Sequence, residues 1–419
     1  MKIHSLALSL SSILLLTACD GDSQNVRNEN TLVILGSITG VGQEIVEEAF
    51  APFTAETGIE VIYEGTDAFT TVLPIRVEGG DVPDLAIFPQ PGLMRDLARE
   101  GALTPLNNVV DLETLTTSFG TDWVNLGKVD NQVYGIWMRS DPKSLVWYNP
   151  DAFETAGYDI PSSWDELMTL TERIAAEGKT PWCLGIESGE ASGWVGTDWI
   201  EDILLRTAGP EIYDQWVTHE IPFNSPLVKE AMQTFGNIVR NERYVRGGTV
   251  GVISTPFGDS PAPMFEQPPG CYLHRQASFI TDFLPDTIEP GTDTQVFLLP
   301  GESSKAPLLT GGLVIAMTDN TPAAQAAVKY LTTVTPHESW AARGYISPHQ
   351  EVDLAVYPND GVRQMAALLA QAETIRFDGS DLMPASVGTG TFWTEMVNYV
   401  SGADVDTVLS TIDASWPDE

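Results

Sequence analysis

The feature that most constrains the fold is a regular alternation of strands and helices near the amino terminus of the chain. Thr31 to Leu35 is a short apolar, β-branched run, which predicts a buried strand. Apolar residues at helical spacing between Gln43 and Thr57 predict a helix that Gly58 ends. Ile59 to Tyr63 and Asp84 to Phe88 predict the next strands, separated by another helical stretch. This order is typical of a parallel sheet with right-handed crossovers, so the sequence predicts an α/β fold.

The later part of the chain also contains predicted helices and strands. Ser163 to Glu166 has the spacing of a capping box and predicts a helix that runs to about Glu177. Thr321-Pro322 predicts a second well-capped helix start, and Leu308 to Met317 predicts a strand. Because domains usually span about 100–200 residues, a chain of 419 residues predicts two domains.

The first eighteen residues read as a leader and not as part of the fold. Leu6 to Leu16 is an apolar run too short to span a bilayer, which needs about 20 residues. It ends in Leu16-Thr17-Ala18-Cys19, which resembles a bacterial lipoprotein signal and implies cleavage before Cys19 and lipid attached to that residue. An ordinary secretory leader with a coincidental cysteine is the alternative. Residues 20–30 are polar and predict a flexible tether between membrane and domain.

Two further cysteines, Cys183 and Cys271, form an isolated pair in a chain that is predicted to be exported. Such a pair predicts a disulfide. Two buried free thiols are the alternative, and metal binding is less favoured than either.

Charge and motifs exclude several classes of function. The formal net charge of −37 disfavours tight nucleic-acid binding, which needs clustered Lys and Arg. No metalloprotease, P-loop or serine-hydrolase motif is present in the sequence. Gly40-Val41-Gly42 follows a strand, but Ile45 replaces the third glycine of a dinucleotide loop. We therefore predict no cofactor and no metal, and interpret this loop as a source of backbone donors for a polar ligand.

Aromatic residues beside polar loops indicate a carbohydrate ligand. Trp194 and Trp199 lie in a stretch rich in Gly, Ser and acids, with Asp198 between them. Sugars are held by stacking on aromatic rings and by hydrogen bonds from charged side chains. A single Trp is more often a core residue, and most acids are solvated surface. Glycoside hydrolysis by two paired carboxylates is a competing reading, because the chain is rich in acids.

Several segments resemble the extracellular sugar-binding family of solute-binding proteins that serve bacterial ABC importers. The most specific match is the block from the Tyr148-Asn149-Pro150 segment to Trp164-Asp165-Glu166. The segments that carry this resemblance are Phe50–Val61, Gly80–Leu85, Val133–Ile136, Leu145–Pro150, Ser163–Leu167 and Leu309–Gly312. Within the family, the chain is most similar to the α-glucoside and glucosylglycerol binders, through Pro181–Gly189, Thr197–Asp202, Pro269–His274 and Phe377–Pro384. Many relatives carry a stacking Trp after the Gly-Gly pair, where this chain has Leu313.

The resemblance implies a two-lobe periplasmic-binding-protein fold, a hinged pair of parallel-rich α/β sheets flanked by helices. Lobe 1 is predicted to comprise residues 31–137 and 299–340, and lobe 2 residues 138–298 and 341–419. The expected crossings lie near Gly135–Arg139, near Leu298–Pro300 and after Trp340. The ligand is expected between the lobes, at the carboxyl ends of strands.

The predicted function is that of a lipid-anchored, monomeric receptor outside the cytoplasm. It captures a small α-glucoside such as glucosylglycerol, sucrose or trehalose, delivers it to membrane permease subunits, and catalyses no reaction. The alternatives are an extracytoplasmic glycosidase and a receptor for a cationic ligand. The predicted ligand-binding residues are Ser37, Thr39, Asp67, Gln90, Glu187, Trp194, Asp198, Asp259, Arg275, Gly312 and Asp381.

Overall fold

The computed structural model describes residues 30–301 and 307–417. The predicted leader, Cys19 and nearly all of the predicted tether lie outside these residues. Strands are numbered along the chain: β1 Thr31–Gly36, β2 Glu60–Gly65, β3 Leu85–Phe88, β4 Lys128–Val129, β5 Gln132–Val133, β6 Gly135–Pro142, β7 Leu145–Tyr148, β8 Leu273–Arg275, β9 Gln295–Leu298, β10 Leu308–Met317 and β11 Ile375–Phe377.

Helices separate many of these strands. In chain order they are α1 Val41–Ala49, α2 Ala51–Thr57, α3 Phe69–Gly79, α4 Pro91–Arg99, α5 Leu112–Leu126, α6 Pro150–Ala156, α7 Trp164–Ala176, α8 Trp194–Ala208, α9 Pro210–Val217, α10 Pro226–Val239, α11 Gly248–Ser254, α12 Pro322–Leu331, α13 Val334–Ala342, α14 Asp360–Gln371, α15 Gly379–Leu382, α16 Trp393–Val400 and α17 Val405–Asp413. A π-helical turn, Ser386–Phe392, leads into α16. No helix among the described residues is long and apolar enough to cross a bilayer.

The central sheet has the order β11-β10-β3-β1-β2, with β6 on the other side of β10. Strands β2 and β3 both run parallel to β1, which confirms the parallel arrangement predicted from the amino-terminal alternation. Strand β10 is antiparallel to both β3 and β6. The late strand therefore inserts beside the early ones and joins distant parts of the chain in one sheet.

The second sheet is smaller, with the order β8-β7-β9, and both pairings are antiparallel. Parallel bridges from Trp182 to Val245 and Leu273 extend it. The chain passes from the central sheet to this one between Pro142 and Leu145 and returns between Leu298 and Leu308. The predicted crossing at Gly135–Arg139 thus lies within β6, just before the first of these passages.

Helix ends follow the local sequence signals. Gly58 is left-handed, with a φ of 72°, and ends α2, while Pro52 lies in the first turn of that helix. The predicted helix from Gln43 is therefore two helices. The hydroxyl oxygen of Ser163 accepts from the Glu166 amide at 3.2 Å, and the Glu166 carboxylate accepts from the Ser162 amide at 2.8 Å. Thr321 caps α12 as predicted.

Apolar side chains form separate cores on either side of the passages between the sheets. The central sheet packs against α1, α12 and α13, with Leu32, Ile34 and Trp340 fully buried. A larger core surrounds α8 and α10, and there Trp199 stacks on Phe235. Fully burying each such side chain contributes about 1.5–3 kcal/mol. The two-lobe organisation follows from this separation of cores.

The disulfide between Cys183 and Cys271 is present, with a Cα–Cα distance of 5.5 Å, which confirms the predicted pairing. The Cys183 amide also donates to the Leu273 carbonyl at 2.8 Å. The bridge therefore fixes the segment that leads to α8 against β8.

Candidate ligand-binding cleft

The carboxyl ends of β1, β2 and β3 lie side by side, and four predicted site residues lie in the loops that follow them. Ser37 and Thr39 follow β1, Asp67 follows β2, and Gln90 follows β3. Because β2 and β3 both pair in parallel with β1, these residues lie at one edge of the sheet.

A buried tyrosine shapes the loop after β1. The Tyr63 hydroxyl lies 3.0 Å from both the amide nitrogen and the carbonyl oxygen of Ile38, accepting from the first and donating to the second. Burial raises the pKa of Tyr63 above its usual range, so the hydroxyl stays protonated and able to donate. A Cβ at Gly36 would collide with this hydroxyl, so glycine is required there. The loop is thereby held in one conformation.

Two of the predicted residues contact each other across this edge. The Thr39 hydroxyl donates to Asp67 Oδ1 at 3.2 Å, and both residues are exposed. The Asp67 carboxylate therefore keeps acceptor capacity for a ligand hydroxyl.

Gln90 is buried at the start of α4, and its Oε1 has no hydrogen-bond partner among the described residues. Most buried polar atoms are hydrogen-bonded, so an unpaired acceptor at the end of a strand indicates a missing donor. Gly92, the second residue of α4, packs against the carbonyl oxygens of Asp381 and Met383. Gln90 therefore lies where the first lobe meets the carboxyl-terminal segment.

The second lobe contributes an aromatic surface. Trp194 is half-buried at the first position of α8, with the rings of Phe257 and Phe279 at 5.1 and 5.7 Å. Phe257 also packs on Phe283, which is 46% exposed. An aromatic surface that is only half covered by protein is suited to the apolar face of a sugar ring.

Beneath Trp194 lies a buried ionic network. On α8 the spacing of Asp198, Glu201 and Asp202 places these acids on one face. Lys143 Nζ donates to Asp198 Oδ1 at 2.8 Å and to Asp378, while the Arg275 guanidinium lies 3.1 Å from Asp202 and 3.5 Å from Asp198. All these side chains are at least nine-tenths buried. Asp198 and Arg275, predicted as ligand contacts, are thus already paired with protein groups.

Burial dominates the titration of this network. It raises the pKa of Asp198, and it raises the pKa of both Glu201 and Asp381 well above the usual range. Burial also opposes ionisation of Asp378, but the Lys143 ammonium outweighs it and holds the pKa of that carboxyl low. Asp198, Glu201 and Asp378 converge closely enough to ligate a metal ion, yet the Lys143 ammonium already bonds to two of them. These acids are therefore arranged around an ammonium group.

Arg139 is a buried cation that the sequence analysis named only as part of a predicted crossing. Its guanidinium lies 4.3 Å from the Tyr345 ring centroid and 5.7 Å from that of Phe279. Its Nε donates to Asp141 at 3.0 Å, and its Nη1 lies 3.7 Å from Asp282. The sequence shows two cations close together, Arg139 in β6 and Lys143 just after it, in a strongly acidic chain.

The remaining predicted residues occupy different surroundings. Glu187 is half-buried and accepts from the Gly189 amide at 2.8 Å, while Asp259 is exposed after the loop that carries Phe257. Gly312 is buried in β10, where a Cβ would collide with the Arg139 carbonyl oxygen and lie 3.3 Å from the Trp137 ring. The structure thus gives a packing reason for glycine at this position.

One side-chain contact joins the rims of the two lobes. The Thr71 hydroxyl of α3 donates to Glu190 Oε2 at 3.0 Å, in the turn before α8. Both residues are exposed, so this bond is accessible to water. The lobes therefore touch at the mouth of the cleft.

Comparison with known proteins places these observations in a family. A family model described as bacterial extracellular solute-binding protein matches residues 36–338. The chain is 51% identical to the osmoprotective compounds-binding protein GgtB of Synechocystis sp., over 100% of both chains. It is 41% identical to the alpha-glucosides-binding periplasmic protein AglE of Rhizobium meliloti, over 92% of this chain and 87% of that one.

Solved structures share the architecture at low sequence identity. The bacterial solute receptor AcbH superposes with a TM-score of 0.79 at 16% identity, covering 92% of this chain and 98% of the receptor. RafE of Streptococcus pneumoniae gives a TM-score of 0.70 at 19% identity, covering 92% of this chain and 97% of RafE. These likenesses confirm the two-lobe α/β fold predicted from the sequence.

Proposed function

We propose that this chain, which belongs to the bacterial extracellular solute-binding protein family, captures a small neutral carbohydrate between its lobes and delivers it to an ABC permease. The observation that carries the proposal is the full-length likeness to two binding proteins, one for osmoprotective compounds and one for alpha-glucosides. The ligand class is therefore an α-glucoside or a glucoside that serves as an osmoprotectant, such as glucosylglycerol, sucrose or trehalose.

The cleft supplies the two kinds of contact that such a ligand needs. Trp194 presents a half-covered ring for the apolar face of a sugar, and Gln90 and Asp67 offer acceptors for hydroxyl groups. The proposed ligand-binding residues are those predicted from the sequence: Ser37, Thr39, Asp67, Gln90, Glu187, Trp194, Asp198, Asp259, Arg275, Gly312 and Asp381. For Asp198 and Arg275, ligand contact requires that they bond to the sugar in addition to their protein partners.

The cellular setting is part of the proposal. The protein is exported and held at the outer face of the cell membrane by lipid on Cys19, and it works as a monomer with the lobe boundaries predicted above. The short apolar leader before Leu16-Thr17-Ala18-Cys19 supports the anchor. Cys19→Ser should release the protein from membranes or block its processing, and unchanged fractionation with membranes would contradict the anchor.

A thermal-shift screen tests the proposed function. Glucosylglycerol, sucrose and trehalose are compared with spermidine and divalent cations, because the acidic surface makes a cationic ligand the main rival among receptors. A ligand at one hundred times its Kd stabilises the native state by about 2.7 kcal/mol. Stabilisation by a glucoside alone is the expected result, and stabilisation only by a cation would contradict the proposal. Recovery of hydrolysed sugar would instead favour the glycosidase alternative.

A further inference from the structure

Lys143 lies at the passage between the two sheets, one residue after β6 ends and two before β7 begins. Its amide donates to the Leu309 carbonyl of β10 at 2.7 Å, which fixes its backbone to the central sheet. A Cβ at Gly311 would lie 2.6 Å from Lys143 Cε, so the glycine makes room for the lysine stem. The side chain is only 7% exposed. The lysine side chain thus extends from the passage between the two sheets into the interior of the protein.

The ammonium group of Lys143 joins two segments that line the cleft. It bonds to Asp198, four residues after Trp194 on α8, at 2.8 Å, and it lies 5.5 Å from the Trp194 ring centroid. It also bonds to Asp378, just before α15. Asp378 Oδ1 in turn accepts from the Ser380 hydroxyl and the Asp381 amide, both at 2.9 Å. One cation therefore joins α8, which carries Trp194, to the turn formed by Asp378 and α15, which carries Asp381.

The charges around this ammonium make it hard to replace. Helix α8 contributes Asp198, Glu201, Asp202 and Arg206, the turn contributes Asp378 and Asp381, β8 contributes Arg275, and α9 contributes the Tyr213 hydroxyl. Arg275 and Arg206 both bond to Asp202, so Lys143 is the cation that bonds to both Asp198 and Asp378. Without it, two buried carboxylates from different segments would repel each other.

We propose that Lys143 is a positioning residue for ligand binding, which holds α8 and the turn at Asp378 together so that Trp194 and Asp381 form one binding surface. This inference rests on the proposed function, because it assigns a role in binding the same ligand. The packing of Gly92 against the Asp381 and Met383 carbonyls then places this surface against the first lobe.

A charge-balanced double variant tests the role. Lys143→Met with Asp378→Asn removes one buried cation and one buried anion together, and Asn keeps an oxygen to cap α15. The matched control is Lys229→Met with Asp406→Asn, which removes a salt bridge between more exposed side chains elsewhere on the second lobe. Affinity is measured by calorimetry with glucosylglycerol, sucrose and trehalose, using the one that the parent binds most tightly. We expect the double variant to fold and to bind at least about tenfold more weakly, with the control unchanged.

A folded double variant with parental affinity would overturn the positioning role. A parent that binds none of the three sugars would contradict the proposed function instead, so the two failures are distinguishable.

The single variant Lys143→Met gives an independent readout. It leaves the Asp198 and Asp378 carboxylates without their shared cation, and protonation of these carboxylates at lower pH then reduces the repulsion between them. Its affinity should rise between about pH 8 and about pH 5.5 by more than that of the parent, and equal pH profiles would overturn the proposal even if the double variant does not fold.

Discussion

At the scale of single residues, the predicted site residues differ in how far their polar groups are already bonded to the protein. Gln90 Oε1 is buried without a partner among the described residues, and Asp67 is exposed and accepts from the Thr39 hydroxyl at 3.2 Å. Asp198 and Arg275 are buried in ion pairs. The residue types were readable from the sequence, but their pairing was not. Lys143 meets Asp378 across more than half of the chain, and no local pattern marks such a contact.

Asp67→Ala should weaken glucoside binding about ten- to hundredfold, because it removes a charged acceptor for sugar hydroxyls. Glu60→Ala is the matched control, since Glu60 is also exposed and begins the same β2 strand at its opposite end. Calorimetry on both variants measures the effect. Equal affinities for parent and Asp67→Ala would show that the sugar does not contact this carboxylate.

His337 should make folding stability sensitive to acid. Burial lowers its pKa to about 3, and its Nε2 donates to the Leu331 carbonyl at 3.1 Å. Because the folded-state pKa lies below the unfolded value of about 6.5, the contribution is complete above that pH and is lost as the pH falls. Between about pH 6.5 and 5.5 the parent should lose about 1 kcal/mol more than His337→Gln. Denaturant titrations at both pH values measure this difference, and parallel pH profiles would contradict it.

At the scale of elements, local sequence signals predicted individual strands and helix ends. Strand β1, the left-handed Gly58 and the caps at Ser163 and Thr321 all agree with the sequence analysis. The bounds of β10 were also correct, but its neighbours were not predictable. Its antiparallel pairing with β3 and β6 depends on packing between segments far apart in sequence. The close approach of Gly312 to the Arg139 carbonyl follows from that pairing alone.

The disulfide joins two such distant elements, so its removal should be costly. Replacing both Cys183 and Cys271 by Ala opens a loop with a sequence separation of 88 residues. The chain-entropy model predicts a loss of about 4–5 kcal/mol in the free energy of unfolding. Chemical denaturation of parent and variant measures the loss. Two alkylatable thiols in the unreduced parent would contradict the pairing itself.

At the scale of the whole molecule, separate cores, joined by passages of the chain between the central sheet and the second lobe, describe a protein whose lobes can move against each other. The Thr71–Glu190 bond joins the exposed rims of the two lobes. Ligand that contacts both lobes favours the closed arrangement over the open one. Closure is thus expected to accompany binding.

Small-angle scattering tests this expectation. The radius of gyration should fall when saturating glucoside is added, as the lobes turn about the passages after β6 and before β10. A sugar that the protein does not bind, added at the same concentration, is the control. An unchanged radius at saturation would indicate a rigid pocket.

The central claim is that the protein captures an intact carbohydrate, and a calorimetric titration with glucosylglycerol, sucrose and trehalose tests it most directly. The account predicts saturable one-to-one binding of at least one of these sugars, with all of the bound sugar recovered unchanged after long incubation. Absence of binding by all three, or release of hydrolysed products, would contradict it.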